Sequence, residues 1–269
     1  MTRLAFVRHY LLAVQFFTRI PITGRLAAWV GYSPAMLRAS AAHLPGVGWL
    51  AAALACGVAA ASMALLQQRP GSALVAAVLC TVATVLLTGG FHEDGLADVA
   101  DGLGGSADRA RALEIMKDSR VGAFGAMALV LALLSKVALL TLLGSYSSQA
   151  LLAALLGGHV WSRFCPLLLV RLLPHVGDAA TSKSKPLAGQ ISGAALAVAL
   201  LGCFMPLAQV LLAQGATFLI ASLVASSLAL VWMKRLFTRR LQGFTGDCLG
   251  ATQQVCEIAF YLGAALALP

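Results

Sequence analysis

The chain has 269 residues, of which 60% are hydrophobic and only 11% charged, with a mean hydropathy of +0.88. This excludes an ordinary soluble domain and describes an all-α, polytopic membrane protein, whose length suits a single compact helical bundle over residues 1–269. The formal net charge of +9 raises nucleic acid as a partner, but the placement of that charge along the chain speaks for membrane topology instead.

Residues 4–20 are apolar with interruptions at Arg8, His9, Gln15 and Arg19. That pattern suits a helix lying on the cytoplasmic membrane surface better than a span, and Pro21 ends it. Arg3 and Arg8 precede only a modest apolar segment, so no removable signal peptide is expected. Residues 22–45 are polar and turn-rich and read as irregular. Seven apolar runs follow, near 46–66, 72–91, 123–143, 150–170, 189–212, 214–233 and 249–268. Each is long enough to cross the ~30 Å hydrocarbon core. Gln67 to Gly71 form the turn between the first two.

Sixteen of the nineteen Lys and Arg residues fall in the N-terminal segment and in the loops after the second, fourth and sixth runs. The alternation is what the positive-inside rule predicts for an N-in, C-out protein. The basic residues read as topological anchors, and the partner they imply is the lipid bilayer, not nucleic acid. The six cysteines are scattered without a CxxC pair and read as small buried hydrophobes.

Acidic residues are few and clustered. Of ten, four (Glu93, Asp94, Asp98 and Asp101) lie within nine positions directly after the second run. On a helix, Asp94, Asp98 and Asp101 share one face at i, i+4 and i+7, a repulsive arrangement that calls for cations. Carboxylates at a membrane edge are costly, and divalent-cation binding is the simplest reason to keep them there. By the charge pattern they face the cytoplasm. Downstream, Ser106-Ala107-Asp108-Arg109 offers an N-capped start for a short helix. Lys117, Asp118, Ser119 and Arg120 then pack two cations, a carboxylate and a hydroxyl into four positions, which suits phosphate binding as well as a membrane anchor.

Ionisable residues recur inside the runs. Lys136 reads as a structural partner, whereas Arg163, one helical turn after His159, lies near the cytoplasmic end of its run and within reach of an anionic substrate. The loop 171–186, with Asp178, Lys183, Ser184 and Lys185, offers further phosphate contacts. Gly189 and Gly193 form one GxxxG, which with the apolar faces permits a homodimer. Asp247 heads the last run, and Gln253, Gln254 and Glu257 in that run point into the bundle. Carboxylates for Mg²⁺ beside Arg and Lys for phosphate, with no P-loop, GxGxxG or HExxH, indicate phosphoryl or nucleotidyl-phosphate transfer.

Four segments together resemble the adenosylcobalamin synthase family, the adenosylcobinamide-GDP ribazoletransferases. They are Gln15 to Pro21, Gly89 to Leu103, Leu113 to Gly125, and Gly243 to Ala251 followed by Gln254 and Glu257. They stand in order over nearly the whole chain. The resemblance implies an integral membrane, Mg²⁺-dependent enzyme. Its substrates would be adenosylcobinamide-GDP and α-ribazole or its 5′-phosphate, joined with release of GMP late in vitamin B12 assembly. On this expectation Asp94, Asp98, Asp101 and Asp118 hold the metal, with Asp247 a possible addition to the cage. His92, Lys117, Arg120 and Arg163 contact substrate and phosphates, and Glu93, Asp94 or Asp247 does the proton chemistry. Two alternatives share parts of this pattern. A CDP-alcohol phosphotransferase would need an Arg after the first acidic pair, where the chain has Asp98. A divalent-cation transporter would place its acids at mid-bilayer.

Overall fold

The computed structural model describes residues 3–67, 69–176 and 191–269. It is built from α-helices, and the described residues contain no strand, only an isolated bridge between His175 and Phe244. Helix α1 spans Arg3–Phe17 and ends where the Thr18 hydroxyl turns back to the Val14 carbonyl (2.7 Å), just before Pro21.

The stretch read as irregular is instead helical: α2 spans Gly24–Val30, α3 spans Pro34–Ser40, and a 3₁₀ turn over Ala41–His43 runs into α4, Leu44–Leu65. The start of α3 has a local cause. Ser33 accepts from the Met36 amide (3.1 Å) with Pro34 at the first helical position, a capped start that the polar composition concealed. Arg8 donates to the Val30 carbonyl (2.8 Å) and so seats α2 on α1.

Helix α5 (Ser72–Thr88) is followed by α6 (Phe91–Gly105), bent 88° away from it. The second apolar run therefore stops at Thr88, three residues short of its expected end. Helix α7 (Arg109–Ile115) starts within the stretch expected to cap it, on Asp108, whose carboxylate accepts from Arg111 N (2.8 Å). Then come α8 (Ala123–Tyr146), α9 (Ser148–Leu172), α10 (Gly193–Arg240) and α11 (Gly246–Leu266). The loop residues Asp178, Lys183, Ser184 and Lys185, together with Gly189, lie outside the described residues.

Among the described residues, four stretches are long and apolar enough to cross a membrane: Pro34–Leu65, α8, α9 and α10. The bent pair α5–α6 passes the same test only when its two helices are taken together. Gly215 (φ 82°, ψ 175°) breaks the 48-residue α10 where the sequence separates its fifth and sixth runs. Helix α9 is the central pillar, packed against α4, α8, α10 and α11. In its most apolar stretch 83% of residues are buried, against 17% in α8, so α8 presents its apolar side chains outward. All six cysteines are free, and five are buried, as expected of small hydrophobes.

The helical bundle has two large apolar cores with a polar layer between them, and a smaller third of Leu12, Ile22, Val30 and Leu37 joins α1, α2 and α3. One large core holds Val99, Phe164, Phe237, Phe244 and Ala251; the other holds Leu140, Leu151, Leu155, Phe260 and Tyr261. Along α9 and α11 the residues between these cores include His159, Ser162, Arg163, Gln253, Gln254 and Glu257, all buried, and Lys136 of α8 joins them.

Candidate active site

The acidic face is created by the elbow between α5 and α6. Gly89 (φ 67°) and Gly90 (φ 72°) both adopt the left-handed conformation that side chains disfavour, which lets the chain reverse its helical path in two residues. Arg19 lies across this elbow. Its amide donates to the Leu87 carbonyl (2.7 Å), and its guanidinium occupies the space a side chain on Gly89 would fill. Phe16 and Phe17 each pack edge-on against Phe91, with centroids 5.9 Å apart. The N-terminal motif thus braces the start of α6, a role the sequence did not reveal.

Helix α6 presents Asp94 exposed and Asp98 half-buried, and it meets the start of α11 backbone to backbone. A Cβ on Gly95 would lie 2.7 Å from the Asp247 carbonyl oxygen, so only glycine permits this approach. Thr245 caps α11 and also donates to the Asp247 carboxylate (3.2 Å). The turn before it is pinned to the end of α9 by Val176 N to Phe244 O (2.9 Å) and Phe244 N to Pro174 O (3.0 Å). Three expected residues, Asp94, Asp98 and Asp247, are thereby brought together. Burial, and then the negative charges of Asp247, Asp94 and Asp101, push the Asp98 carboxyl up to about 7.

Asp101 and Asp118 have other tasks than the metal binding expected of them. The Asp101 carboxylate is buried and accepts from Gly122 N (2.7 Å) and Gly125 N (2.8 Å), clamping α6 to the first turn of α8. Asp118 forms a two-pronged pair with exposed Arg120 (2.6 Å for the shorter contact), whose hydrogen bonds pull its carboxyl down to about 2. Among the described residues no three His, Cys, Asp or Glu side chains close around a single metal position. The expected four-aspartate cage is not formed. Lys117 and Arg120 stand exposed on the turn after α7, at the same end of the bundle. Arg109 and Arg240 are more than topological anchors: Arg109 donates to Leu241 O (2.7 Å) and Arg240 to Leu103 O and Ser106 O (3.1 and 2.6 Å). They tie α6 and α7 to the end of α10.

Below this face the polar layer begins. His92 is buried where α11 crosses at Gly250, its backbone 3.2–3.3 Å from where a Cβ on that glycine would sit. Glu93 Oε1 accepts from Gln254 Nε2 (3.0 Å), while Glu93 Oε2 is buried with no hydrogen-bond partner. Glu257 Oε1 meets Lys136 Nζ (2.5 Å) and the Tyr261 hydroxyl (3.0 Å). Lys136 is therefore the structural partner its position implied. Arg163, expected to reach an anionic substrate, is only 2% exposed; it donates to the His159 carbonyl (2.9 Å) and lies 3.9 Å from Glu257. The sequence pointed Gln253, Gln254 and Glu257 inward, but their link to Glu93 had no local signature.

Elements and site together define an all-helical protein, with long apolar helices that fit a bilayer and a carboxylate-bearing, phosphate-suited face at one end. The family described as cobalamin-5-phosphate synthase matches residues 9–265, and the chain belongs to it. It is 66% identical to the adenosylcobinamide-GDP ribazoletransferase of Polaromonas sp. (strain JS666), with 98% of each chain covered. It is 64% identical to that of Polaromonas naphthalenivorans, covering 98% of this chain and 100% of the relative. For the protein of the same name from Shewanella amazonensis the identity is 43%, over 94% and 93%. No solved structure matches the chain.

Proposed function

We propose that this chain is an enzyme that transfers the adenosylcobinamide-phosphate group of adenosylcobinamide-GDP to α-ribazole or its 5′-phosphate and releases GMP. The observation that carries the reading is the meeting of Asp94, Asp98 and Asp247 where α6 touches α11, in a family whose relatives bear that activity in their names. The acceptor's ribose hydroxyl oxygen forms a bond to the phosphorus on the corrinoid arm. The bond from that phosphorus to the bridging oxygen breaks, GMP leaves with that oxygen, and the hydroxyl proton passes to a carboxylate. Glu93 suits that last role, since Gln254 fixes one of its oxygens and the other has no partner; Asp247 is the second candidate. Lys117 and Arg120 supply positive charge for the phosphates.

The donor set fits Mg²⁺. The charges acting on Asp98 are all negative, and the oxygen ligands are hard. Mg²⁺ is commonly held by one or two carboxylates and completed by substrate phosphates and water, so an open set of Asp94, Asp98 and Asp247 suits it better than a closed cage does. Held by Asp94, Asp98 and Asp247, the ion would offset the negative charge that develops on the phosphates. In this reading the chain crosses a bacterial inner membrane seven times, N-in and C-out, with the acidic face in the cytoplasm.

The test is GMP release from adenosylcobinamide-GDP and α-ribazole by purified protein in lipid vesicles, with and without Mg²⁺. Asp98→Asn is expected to lose about a thousandfold in turnover, several kcal/mol of lost charge stabilisation, while melting as the parent does. Full Mg²⁺-dependent turnover by Asp98→Asn would remove that residue from the metal site. Cation uptake into the vesicles without GMP release would replace the reading with transport.

A further inference from the structure

We propose that Glu257, buried in the polar layer between the two large cores, is a positioning residue for Glu93 and acts through the side-chain amides of Gln253 and Gln254. The proposal rests on the reading of Glu93 as the proton acceptor.

The connection is continuous. Gln253 Nε2 donates to Glu257 Oε2 (2.5 Å) and to Ser162 Oγ (2.9 Å). That leaves the Gln253 carbonyl oxygen to accept from Gln254 Nε2 (2.9 Å), and the same Gln254 nitrogen donates to Glu93 Oε1 (3.0 Å). A primary amide has two N–H groups and one carbonyl. Both N–H groups of both glutamines are used, so the two amides share one direction, set at the deep end. A carboxylate at 257 offers no hydrogen; it makes Gln253 donate inward, which turns its oxygen to Gln254, which in turn must donate outward to Glu93. A hydrogen-bond donor at 257 would allow the whole row to flip and present the Gln254 oxygen to the Glu93 carboxylate, an unfavourable contact.

The deep end is held as firmly as the chain allows. Glu257 receives Lys136 Nζ, the Tyr261 hydroxyl and Gln253 Nε2, with His159 Nδ1 at 3.3 Å. Its side chain and those of Lys136 and Arg163 are at most 2% exposed. An ion pair kept this dry adds little net stability compared with a neutral, well-packed pair, because both charges lose their water. Stability alone does not account for it. A fixed carboxylate that orients a row of amides towards the site does.

The two roles separate in a double variant. Glu257→Gln with Lys136→Met removes this ion pair at nearly constant volume and leaves the net charge of the layer unchanged, with Arg163 keeping its hydrogen bond to the His159 carbonyl. Gln254→Met removes the donor to Glu93 and touches neither charge. The measurements are thermal midpoint, kcat, and KM for both substrates in lipid vesicles, alongside Glu93→Gln. Positioning predicts that the double variant melts near the parent temperature, and that it and Gln254→Met each lose about tenfold or more in kcat with KM within about twofold. Their combination should lose no more than either alone, because both act on one path. Parental kcat in either variant, or a loss that falls on KM, would overturn the proposal while leaving the Glu93 reading intact. Parental kcat in Glu93→Gln would instead remove the reading on which it rests.

Discussion

Asp98 and Asp101 lie three residues apart on α6 and do different work. The Asp98 carboxyl, pushed up to about 7 by burial and by its acidic neighbours, carries a proton in the folded, metal-free protein at mildly acid pH. An unfolded aspartate titrates near 3.9. Between about 4 and 7 the folded state therefore binds the extra proton, and metal-free stability falls as pH rises through that window. Thermal unfolding in EDTA between pH 5 and pH 8 should show this slope. At the proposed metal site Mg²⁺ would displace the same proton, so its apparent affinity should rise from pH 6 to pH 8, read from Mg²⁺ titrations of turnover. Asp101 behaves otherwise. Asp101→Asn loses one of the two acceptors that hold α8 and should lower stability by about 1–3 kcal/mol. Its charge also helps raise the Asp98 carboxyl, so at pH 8, above that titration, the Mg²⁺ concentration for half-maximal activity should change by about threefold or less. A rise of roughly tenfold or more would return Asp101 to the metal. The spacing of the acids was legible in the sequence. The diversion of Asp101 was not, because its partners are backbone amides more than twenty residues away, which carry no side-chain signal. The diversion of Asp118 was hidden for the opposite reason, a tight local turn with Arg120.

At the scale of elements, the site depends on how closely α6 can approach α11. Gly95→Ala places a methyl group 2.7 Å from the Asp247 carbonyl, inside any real contact, so the helices must part. Overpacking of this kind costs about 1–3 kcal/mol. It also moves Asp94 and Asp98 away from Asp247, so turnover should fall by more than the lost stability explains, as kcat measured beside the thermal midpoint would show. The spacing of the acids suited a helix, which α6 forms, and a capped start for α7 within Ser106-Ala107-Asp108-Arg109 was legible too. The elbow showed only as a glycine pair, since its 88° angle is set by Arg19 and the aromatic packing of Phe16 and Phe17 from the far end of the chain. Helices α2 and α3 were missed because polar, turn-rich composition outweighed a single Ser-Pro start.

For the whole molecule, the apolar runs and the alternation of basic residues made the helical bundle legible, and Gly215 even marks the break between the fifth and sixth runs. The division of the interior into two large cores with charges between them was not legible, because it requires knowing which faces of α8, α9 and α11 meet. The proposed orientation is open to labelling with a membrane-impermeant maleimide on intact cells. A cysteine at Arg69 should react from outside, and one at Ser119 only after permeabilisation; the reverse pattern would invert the topology.

Helix α5 has 17 residues, roughly 26 Å at 1.5 Å per residue, against ~30 Å of hydrocarbon. A crossing that stops short draws the adjacent leaflet inward, at a cost of fractions of a kcal/mol per Å. In the proposed membrane setting, α6 then lies in the floor of a shallow dimple ringed by lipid headgroups. In that setting a donor with a broad corrin ring and a charged tail would meet such a floor by sliding along the membrane surface. Bilayer thickness thus joins the groups that set the depth at which the phosphates arrive.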